Sequence, residues 1–328
     1  MKKALYTQDF SDYSECFLCP NKCKILEGKT GRCLSRKRIL KTVQASNYGI
    51  IVSASVDPIE KKPLYHFFPG HSIFSIGTFG CNLHCTFCQN FEISQNVAPG
   101  QLYVPSEIAD LSVKTLDNVG VAFTYNEPGT WFEFIMDTAP LIIEQGQKVV
   151  LVTNGYLSDA PWLELCKISD AMNIDIKSFD PNFYSHTCGG KLDQVIKNIE
   201  TAFANNVHIE LTNLIVTGKN EDLELFEKLI KWVASISPNI PFHISRYFPR
   251  FKETAPPTKP ETLLTLYNKA REFLNFVYVG NLATEEENNT ICPSCKKLWI
   301  ERVGYSVRIV HSGEKCTCGL EKKIRFEL

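Results

Sequence analysis

Hydrophobic positions between residues 72 and 280 alternate between two kinds of segment. Short apolar runs rich in β-branched residues predict strands, at residues 72–78, 119–125, 148–153, 171–176, 208–216, 242–245 and 276–280. Amphipathic segments between these runs predict helices, at residues 105–118, 131–146, 190–205, 221–235 and 260–274. Strands and helices in turn predict an α/β fold with a parallel sheet. A doubly wound sheet would share this pattern, but six or more repeats with polar residues at the strand ends favour a full or partial TIM-type (β/α) barrel.

Cysteine-rich stretches flank this barrel region on both sides. We therefore predict a Cys-rich N-terminal module over residues 1–70, the barrel over residues 71–283, and a zinc-ribbon-like module over residues 284–328. In the last part a Cys-x-x-Cys turn, the alternating segment YSVRIV and a second Cys-rich turn follow one another, which is the layout of a zinc ribbon. The ribbon is expected to be a separate unit.

Composition and charge narrow the class of protein. Of the 328 residues, 44% are hydrophobic and 22% are charged, which is ordinary for a globular protein with a sizeable core. Lys and Arg number 35 against 36 Asp and Glu, so no overall field attracts nucleic acid or an anionic membrane surface. The short basic run at residues 36–38 is interpreted as a solvated face. No apolar run follows the N-terminal lysines, which predicts a cytoplasmic protein without a signal peptide or transmembrane helix.

Most of the 13 cysteines fall into clusters, and cytoplasmic thiols remain reduced, so metal ligation is favoured over disulfides. Two clusters have four thiols each: an N-terminal set of Cys16, Cys19, Cys23 and Cys33, and a C-terminal set of Cys292, Cys295, Cys316 and Cys318. Four thiolates close a tetrahedral ion such as zinc off from water. We predict zinc at the C-terminal set, but its second pair is separated by one residue where two are usual, so an iron centre or an empty site stays open. The N-terminal set is predicted to hold zinc or an iron–sulfur cluster.

A third cluster places Cys81, Cys85 and Cys88 in one short loop directly after a predicted strand. A closed zinc site would need a fourth ligand, and the local candidate, His84, lies between two of the thiols, where reaching the same ion would strain the loop. Three thiolates instead fit a [4Fe-4S] cluster whose fourth iron has no protein ligand. An open metal position of this kind is where a small molecule coordinates.

The spacing of these three cysteines resembles the Cys-x-x-x-Cys-x-x-Cys loop of the radical S-adenosylmethionine (SAM) superfamily. The resemblance implies that the amino and carboxylate groups of SAM occupy the fourth iron. It also implies that electron transfer from the reduced cluster releases methionine and a 5'-deoxyadenosyl radical, which removes a hydrogen atom from a substrate. The cofactors would supply the chemistry, while the protein binds them, orients them and excludes water.

Polar residues at the ends of later strands resemble SAM-contacting positions of this superfamily. Asn126 and Glu127 resemble the segment that holds the methionine amino group, although the usual glycine pair is absent, and both could instead cap the next helix. The other positions that the resemblance implies are Thr153, Asn154, Asp175, Lys177 and His243. The open alternatives are a strand-to-helix turn at VTNG and a satisfied core histidine at position 243. No catalytic side chain is assigned.

A narrower resemblance covers nearly the whole chain. The N-terminal set, the segment DPIEKKPLYHFFPG at residues 57–70, and YVGN before the ribbon are together similar to the radical SAM enzymes of the AmmeMemoRadiSam system, relatives of pyruvate formate-lyase activating enzymes. This resemblance places Glu60, Lys61, Lys62 and His66 in a characteristic motif, whereas the residues alone predict that the adjacent lysines are exposed. It implies an unidentified protein or small-molecule substrate and an electron donor such as flavodoxin or ferredoxin.

Two further interpretations stay open at this point. Cys188 could lie near the cavity as a hydrogen donor, or be an incidental buried thiol. A different class of function is a non-enzymatic zinc scaffold that binds RNA or a protein through a basic and aromatic face of Trp299, Arg302 and Arg308. The neutral overall charge and the three-thiol loop, which zinc would leave incomplete, disfavour that class.

Overall fold

The apolar runs of the middle of the chain form one sheet in a computed structural model, which describes residues 1–283 and 286–326. In chain order the strands are β1 (Lys2–Lys3), β2 (Thr7–Asp9), β3 (Tyr13–Cys16), β4 (Cys23–Leu26), β5 (Arg36–Ile39), β6 (Thr42–Ala45), β7 (Ile50–Ile51), β8 (Ser53–Pro58), β9 (Ser72–Gly77), β10 (Gln101–Leu102), β11 (Asn118–Phe123), β12 (Lys148–Thr153), β13 (Ala171–Asp175), β14 (His208–Ile215), β15 (Phe242–Arg246), β16 (Val277–Gly280), β17 (Thr290–Ile291), β18 (Leu298–Val303) and β19 (Ser306–Ile309). The α-helices are α1 (Phe91–Ser94), α2 (Pro105–Lys114), α3 (Phe132–Glu144), α4 (Asp159–Ile168), α5 (Leu192–Ala204), α6 (Leu223–Ile236) and α7 (Pro260–Arg271).

The central sheet has the strand order β16-β15-β14-β13-β12-β11-β9-β8. Its neighbours are parallel except for β8, which runs antiparallel to β9. Parallel strands need crossover connections, and the helices α2 to α7 supply them. Because β8 and β16 are the two edges of the sheet, the barrel is partial, which confirms the predicted α/β class and TIM-type architecture. No helix in the described ranges combines the length and apolarity needed to cross a membrane.

The predicted barrel strands agree with the observed ones to within two residues at each end. All six residues of β11 are buried, because helices and the barrel interior cover both faces of the sheet, and such strands read as continuous apolar runs. Two elements lack a signal of this kind. Helix α4 is short and has Pro161 in its first turn, and β8 has three exposed residues in a row because it lies at a sheet edge.

The N-terminal part folds into two small antiparallel sheets, β2-β3-β4 and β1-β6-β5. The prediction of a solvated basic face at residues 36–38 is wrong, because Arg36 and Arg38 are each only 1% exposed. Alternate residues of β5 point to one side, so these two arginines turn inward together. Arg36 Nη1 pairs with an oxygen of Glu133 at 2.6 Å, and Arg38 donates to the carbonyl oxygens of Phe10 and Asp12.

Residues 59–68, here called the plug, fill the amino end of the barrel. Its apolar side chains Ile59, Leu64, Phe67 and Phe68 pack against the first residues of the central strands. The strand residues in this cluster are Ile73, Val119, Val150 and Ala171. Lys62 is buried and pairs with Asp57 at 2.6 Å, whereas the Lys61 side chain is 47% exposed. The predicted exposure of the two lysines therefore holds only for Lys61, because the buried Asp57 carboxylate draws Lys62 inward.

The ribbon strands β17, β18 and β19 form an antiparallel sheet that packs on the plug. Arg302 Nη2 donates to the carbonyl oxygen of Tyr65 at 2.7 Å, and its guanidinium lies 4.3 Å from the Tyr65 ring centre. Trp299 is fully buried in the same cluster. The predicted basic and aromatic face is thus wrong for Trp299 and Arg302, since both side chains are buried where the ribbon meets the plug. The predicted boundary at residue 284 lies outside the described residues, and the three-part division stays a prediction.

Candidate active site

The cysteine loop, from Cys81 to Cys88, follows β9 at the carboxyl edge of the sheet. Cys85 is buried, while Cys81 and Cys88 are partly exposed. The Leu83 N–H donates to Cys81 Sγ at 3.4 Å, and Cys88 Sγ lies 3.1 Å from the hydroxyl of Ser94. Donors of this kind stabilise the thiolate, which is the form that ligates metals. The loop therefore presents three ligands at the end of the barrel where active sites collect.

The three thiols of the cysteine loop are not grouped as the ligands of a single ion are. Within residues 1–283 and 286–326, only the C-terminal set brings three or more candidate ligand atoms within 4.8 Å of one another. Zinc–sulfur bonds of about 2.3 Å place the sulfurs of a tetrahedral site about 3.8 Å apart. In a cubane cluster each thiolate binds a different iron, so the ligands stand further apart. The donor set of the cysteine loop therefore fits a [4Fe-4S] cluster and does not fit one ion.

Asn126, which follows β11, is hydrogen-bonded to the backbone just before Cys81. Its Oδ1 accepts the Thr78 N–H at 3.1 Å, and its Nδ2 donates to the carbonyl oxygen of Gly80 at 2.8 Å. The side chain is therefore occupied by the backbone on the N-terminal side of Cys81. Contact with a cofactor, which the resemblance implies for Asn126, stays a prediction.

Glu127 is a buried carboxyl whose protein partners are all neutral. Its oxygens accept from Thr153 Oγ1 at 2.7 Å and from the backbone N–H groups of Gly129 and Asn154, each at 2.8 Å. The bond to Gly129 caps the short helix Pro128–Trp131, which is the capping role that the sequence left open. Burial raises the pKa of Glu127 to about 7, so a cation placed beside this carboxyl would be strongly favoured.

Asn82 joins this group, and sequence reasoning missed it. Its Oδ1 accepts from Asn154 Nδ2 at 2.9 Å, and its own Nδ2 donates to the carbonyl oxygen of Tyr156 at 2.5 Å. Asn154 Nδ2 also lies 3.6 Å from Cys81 Sγ. Thr153 and Asn154 therefore connect Glu127 to the cysteine loop. The only available signal for Asn82 was its position next to the first cysteine.

Asp175 and Lys177 supply a charged pair beside the same loop. Lys177 Nζ lies 2.6 Å from Asp175 Oδ2, and both side chains keep some exposure, 13% and 31% respectively. Burial alone would lower the pKa of Lys177, but the charges of Asp175 and Cys85 raise it above its ordinary value. The ammonium group is therefore retained at neutral pH. Six of the seven predicted polar residues thus lie around the cysteine loop.

Cys188 lies against the cysteine loop at the end of the π-helix Phe183–Cys188. Its carbonyl oxygen accepts the His84 N–H at 2.8 Å, and the Thr86 N–H donates to Thr187 at 3.1 Å. A hydrogen bond from the buried Cys188 thiol lowers the pKa of Cys85. Cys188 is therefore a buried thiol that supports a ligand, and its role as a hydrogen donor stays a prediction.

His243 lies among residues that contact the plug. Its Nε2 is 2.7 Å from an oxygen of Glu210, and its ring meets those of Tyr65 and Tyr278 at centroid distances of 4.7 and 5.3 Å. These are the contacts of the satisfied core histidine that the sequence left as an alternative. Its cofactor contact stays a prediction, and no hydrogen bond joins it to Glu127 or Lys177 among the described residues.

The C-terminal set has the geometry of a single-ion site. Cys292 and Cys318 Sγ lie 3.7 Å apart, and Cys295 and Cys316 Sγ lie 3.5 Å apart. These separations match the sulfur spacing of a tetrahedral metal site. Gly319, with φ of 88°, follows Cys318, and its N–H donates to the carbonyl oxygen of Cys316 at 2.8 Å, which closes the turn that carries the last two thiols. The set could therefore bind a metal.

The N-terminal set lines one cavity, beside Asn82 and Thr130. Arg36 lines the same cavity. Three of its thiols are buried and Cys23 is partly exposed. No metal-ligand triad within 4.8 Å is formed there by the described residues.

Comparison with known proteins agrees with this arrangement. A family profile described as the radical SAM superfamily matches residues 75–233, which include the cysteine loop and the polar residues up to Lys177. An uncharacterised protein of Methanocaldococcus jannaschii is 37% identical over 318 residues, which covers 95% of this chain and 94% of that protein. The chain belongs to the radical SAM superfamily. Members of this superfamily use a [4Fe-4S] cluster and SAM, so the protein is an enzyme.

More distant proteins match about half of the chain or share only its fold. The pyruvate formate-lyase-activating enzyme of Clostridium pasteurianum is 27% identical, over 50% of this chain and 72% of that enzyme. The crystal structure of Streptococcus suis SuiB bound to S-adenosylmethionine superposes with a TM-score of 0.53 at 14% identity, over 65% of this chain and 51% of that one. At this identity the likeness to SuiB shows the radical SAM fold alone.

Proposed function

We propose that this protein cleaves SAM reductively at a [4Fe-4S] cluster held by Cys81, Cys85 and Cys88, and abstracts hydrogen from a substrate. When bound, the cluster and SAM supply the electron and the 5'-deoxyadenosyl radical for this reaction. The observation that carries the proposal is the arrangement of three thiols beside an uncompensated buried carboxyl and a retained ammonium group. The arrangement of the thiols supports the cluster, and the carboxyl and ammonium groups support the binding of SAM.

The charges of Glu127 and Lys177 are complementary to the methionine part of SAM. A buried carboxyl whose partners are neutral gains most from an ammonium group, so we assign Glu127 to the cofactor amine. Lys177 keeps exposed surface and a charge beside Cys85, so we assign it to the cofactor carboxylate, with Asp175 holding its side chain. Opposite charges at two fixed points orient the cofactor as well as bind it.

Thr153 and Asn154 support the same assignment from the next strand. The Thr153 hydroxyl and the Asn154 N–H hold the two oxygens of Glu127 in one orientation. The Asn154 amide meanwhile contacts Asn82 and approaches Cys81. We propose that this pair fixes the carboxyl relative to the cysteine loop and lies next to the ribose and methionine of the cofactor.

The substrate is proposed to be a partner protein or a small molecule, as in activating enzymes. The similarity to the pyruvate formate-lyase-activating enzyme of Clostridium pasteurianum supports this class over part of the chain. Such chemistry also requires a one-electron donor such as flavodoxin or ferredoxin, and unpaired thiols fit the reducing cytoplasm. For the ribbon we propose zinc at the C-terminal set, because its sulfur separations of 3.5 and 3.7 Å suit that ion.

The test is anaerobic reconstitution followed by dithionite reduction with SAM and assay of 5'-deoxyadenosine. The wild type is expected to form 5'-deoxyadenosine and methionine, and Cys81→Ala to form neither. Cys166→Ala is the matched control, since this buried thiol lies on α4 outside the three cysteine clusters. Retained cleavage in Cys81→Ala, or no cleavage in an iron-loaded wild type, would contradict the proposal.

A further inference from the structure

The N-terminal set is built by a hairpin that converges on one cavity. Cys16 ends β3 and is paired in register with Cys23, the first residue of β4. Cys19 lies in the turn between them, and Cys33 returns to the same cavity from the loop before β5. The Arg32 N–H donates to Cys23 Sγ at 3.4 Å, and Cys33 Sγ lies 3.2 Å from the Ser35 hydroxyl. Donors at two sulfurs are the usual surroundings of metal-bound thiolates.

The spacing of these four thiols differs from that of the C-terminal set. In the ribbon the four sulfurs approach as the ligands of one tetrahedral ion do. No three thiols of the N-terminal set meet that limit of 4.8 Å within the part of the chain that is described. In this respect the set matches the cysteine loop. Four separated thiolates around a common cavity suit a cluster with four irons, each of which takes one thiolate.

Arg36 gives an independent sign that the cavity takes an anionic group. Its side chain is 1% exposed and lines the cavity, yet Nε and Nη2 have no hydrogen-bond partner among the described residues. Only Nη1 is satisfied, by Glu133 at 2.6 Å. Leaving two buried donors of a charged group unpaired is costly. Sulfur atoms of a thiolate-bound cluster would accept from both donors, and such hydrogen bonds also tune its reduction potential.

The cavity shares a wall with the cysteine loop. Gly80, directly before Cys81, has φ of 96°, and a Cβ there would lie 2.3 Å from the carbonyl oxygen of Cys33. Asn21 Nδ2 donates to the carbonyl oxygen of Asn82 at 2.8 Å, and Asn82 itself lines the cavity. The backbone of the two cysteine-bearing segments is thus in direct contact. A cluster in the cavity would be a near neighbour of the cluster proposed at Cys81.

We propose that the N-terminal set binds a second [4Fe-4S] cluster, which passes single electrons to the cluster of the cysteine loop. The presence of a second cluster is independent of the proposed function. The transfer of its electron to the cysteine loop rests on the proposed function. A low-potential one-electron carrier of the reduced ferredoxin class gives one electron to the N-terminal cluster and is oxidised. That cluster is reoxidised when it passes the electron on, and no bond or proton is transferred.

The surface around Cys23 indicates where the carrier binds. Cys23 is the least buried thiol of the set, and the exposed cations beside it are Lys22, Lys24, Lys29 and Arg32. Two acids lie near these four cations: Glu27, which accepts from the backbone N–H groups of Leu40 and Lys41, and Glu15, which lies opposite Lys24 in the β3–β4 pairing, so positive charge remains in excess. A local excess of positive charge favours and steers an acidic partner. The partner that this surface favours is therefore an acidic ferredoxin-type protein.

The cluster is tested by iron, sulfide and zinc analysis of full-length proteins reconstituted anaerobically. We expect about eight irons per chain in the wild type and in the control Cys166→Ala, and about four in Cys19→Ala/Cys33→Ala and in Cys81→Ala/Cys85→Ala. Electron paramagnetic resonance of the reduced proteins then separates the two sites. Addition of SAM should change the signal that remains in the N-terminal variant and should not change the signal of the loop variant.

The outcomes separate the two proposals. About four irons in the wild type that are all lost in the loop variant, or zinc at the N-terminal set, would overturn the second cluster. This wild-type count does not depend on the folding of any variant. About eight irons with a spectrum that SAM leaves unchanged would keep the second cluster and reject the proposed function.

Electron delivery is tested at the surface with Lys24→Glu/Lys29→Glu and with the control Lys228→Glu, an exposed lysine on α6. The measured quantity is the rate of 5'-deoxyadenosine formation driven by reduced ferredoxin, divided by the rate driven by dithionite. We expect this ratio to fall at least about fivefold in the double variant and to stay at the wild-type value in the control. An equal ratio in both variants would reject this surface as the point of electron entry.

Discussion

The two ends of the barrel each bury a carboxyl group, Glu210 at the amino end and Glu127 at the carboxyl end, but only Glu210 is paired with titratable side chains of the protein. There Glu210 accepts the backbone N–H groups of Tyr65 at 2.9 Å and His66 at 2.7 Å. The rings of His208 and His243 reach the same carboxylate at 3.1 and 2.7 Å. Although burial alone would raise the pKa of Glu210, these partners lower it well below its ordinary value.

The carboxyl end has a buried carboxyl with a different balance. Glu127 accepts only from neutral donors, and burial raises its pKa to about 7. The thiols of the cysteine loop are likewise not grouped as the ligands of one ion are. The comparison indicates that a buried carboxyl group marks a binding site when the protein supplies no charged or titratable partner for it. Burial and polarity alone do not distinguish Glu127 from Glu210.

The largest expected effect comes from removing one thiol at each end. Cys85→Ala should lose the iron of the cysteine loop and all cleavage of SAM, because three ligands are the minimum for that cluster. Cys292→Ala should lose the metal of the C-terminal set and lower the melting temperature, because this buried thiol lies in the apolar cluster where the ribbon packs on the plug. Metal analysis and thermal unfolding check both. Loss of the loop iron in Cys292→Ala would show that the two ends are not independent.

Glu210→Gln tests how strongly the amino end depends on its carboxylate. The amide keeps one acceptor oxygen and turns an NH₂ group toward donors, so the buried partners lose their match. We expect the free energy of unfolding to fall by about 3–5 kcal/mol, measured by urea denaturation. Glu127→Gln, with neutral partners only, should cost much less. Equal losses in the two variants would remove the proposed distinction between the ends.

Local patterns of the sequence were sufficient for the barrel and for the cysteine loop. The strands follow from apolar runs, and the loop follows from the spacing of Cys81, Cys85 and Cys88, so neither needs knowledge of distant residues. The plug has no such periodicity. Its key partner, Glu210, lies 145 residues after Tyr65, and nothing near either residue announces the contact. Long-range pairing of this kind is set by the tertiary fold.

The misplaced cations have the same physical origin. Arg36 looked like part of an exposed basic run, but its partner Glu133 is 97 residues away. Arg302 resembled a surface cation until the structure placed it over Tyr65, 237 residues before it. His243 resembles a cofactor-contacting position, and this contact stays a prediction, but its hydrogen-bond partner within the protein is Glu210. In each case a buried acceptor supplied by another element decided the position of the side chain.

Glu127→Gln is expected to weaken SAM binding about tenfold, which corresponds to about 1.4 kcal/mol, because a charge-assisted hydrogen bond to the cofactor amine becomes a neutral one. Equilibrium binding to the iron-loaded protein measures this change. The matched control is Glu144→Gln, an exposed carboxyl at the end of α3. An unchanged dissociation constant in Glu127→Gln would reject Glu127 as the partner of the amine, while the cysteine loop would keep its assignment.

The pH dependence of SAM affinity is the smallest expected effect, and it separates the two carboxyls most directly. Because burial raises the pKa of Glu127 to about 7, its ionised fraction falls from about three-quarters near pH 7.5 to about one-quarter near pH 6.5. Affinity should therefore fall about threefold over this interval in the wild type, and the part due to Glu127 should vanish in Glu127→Gln. Glu210 has its pKa lowered, so its stabilising contribution is lost only as the pH falls below the unfolded value of 4.5, and it stays constant here. Identical pH profiles in the two proteins would show that Glu127 does not meet the cofactor.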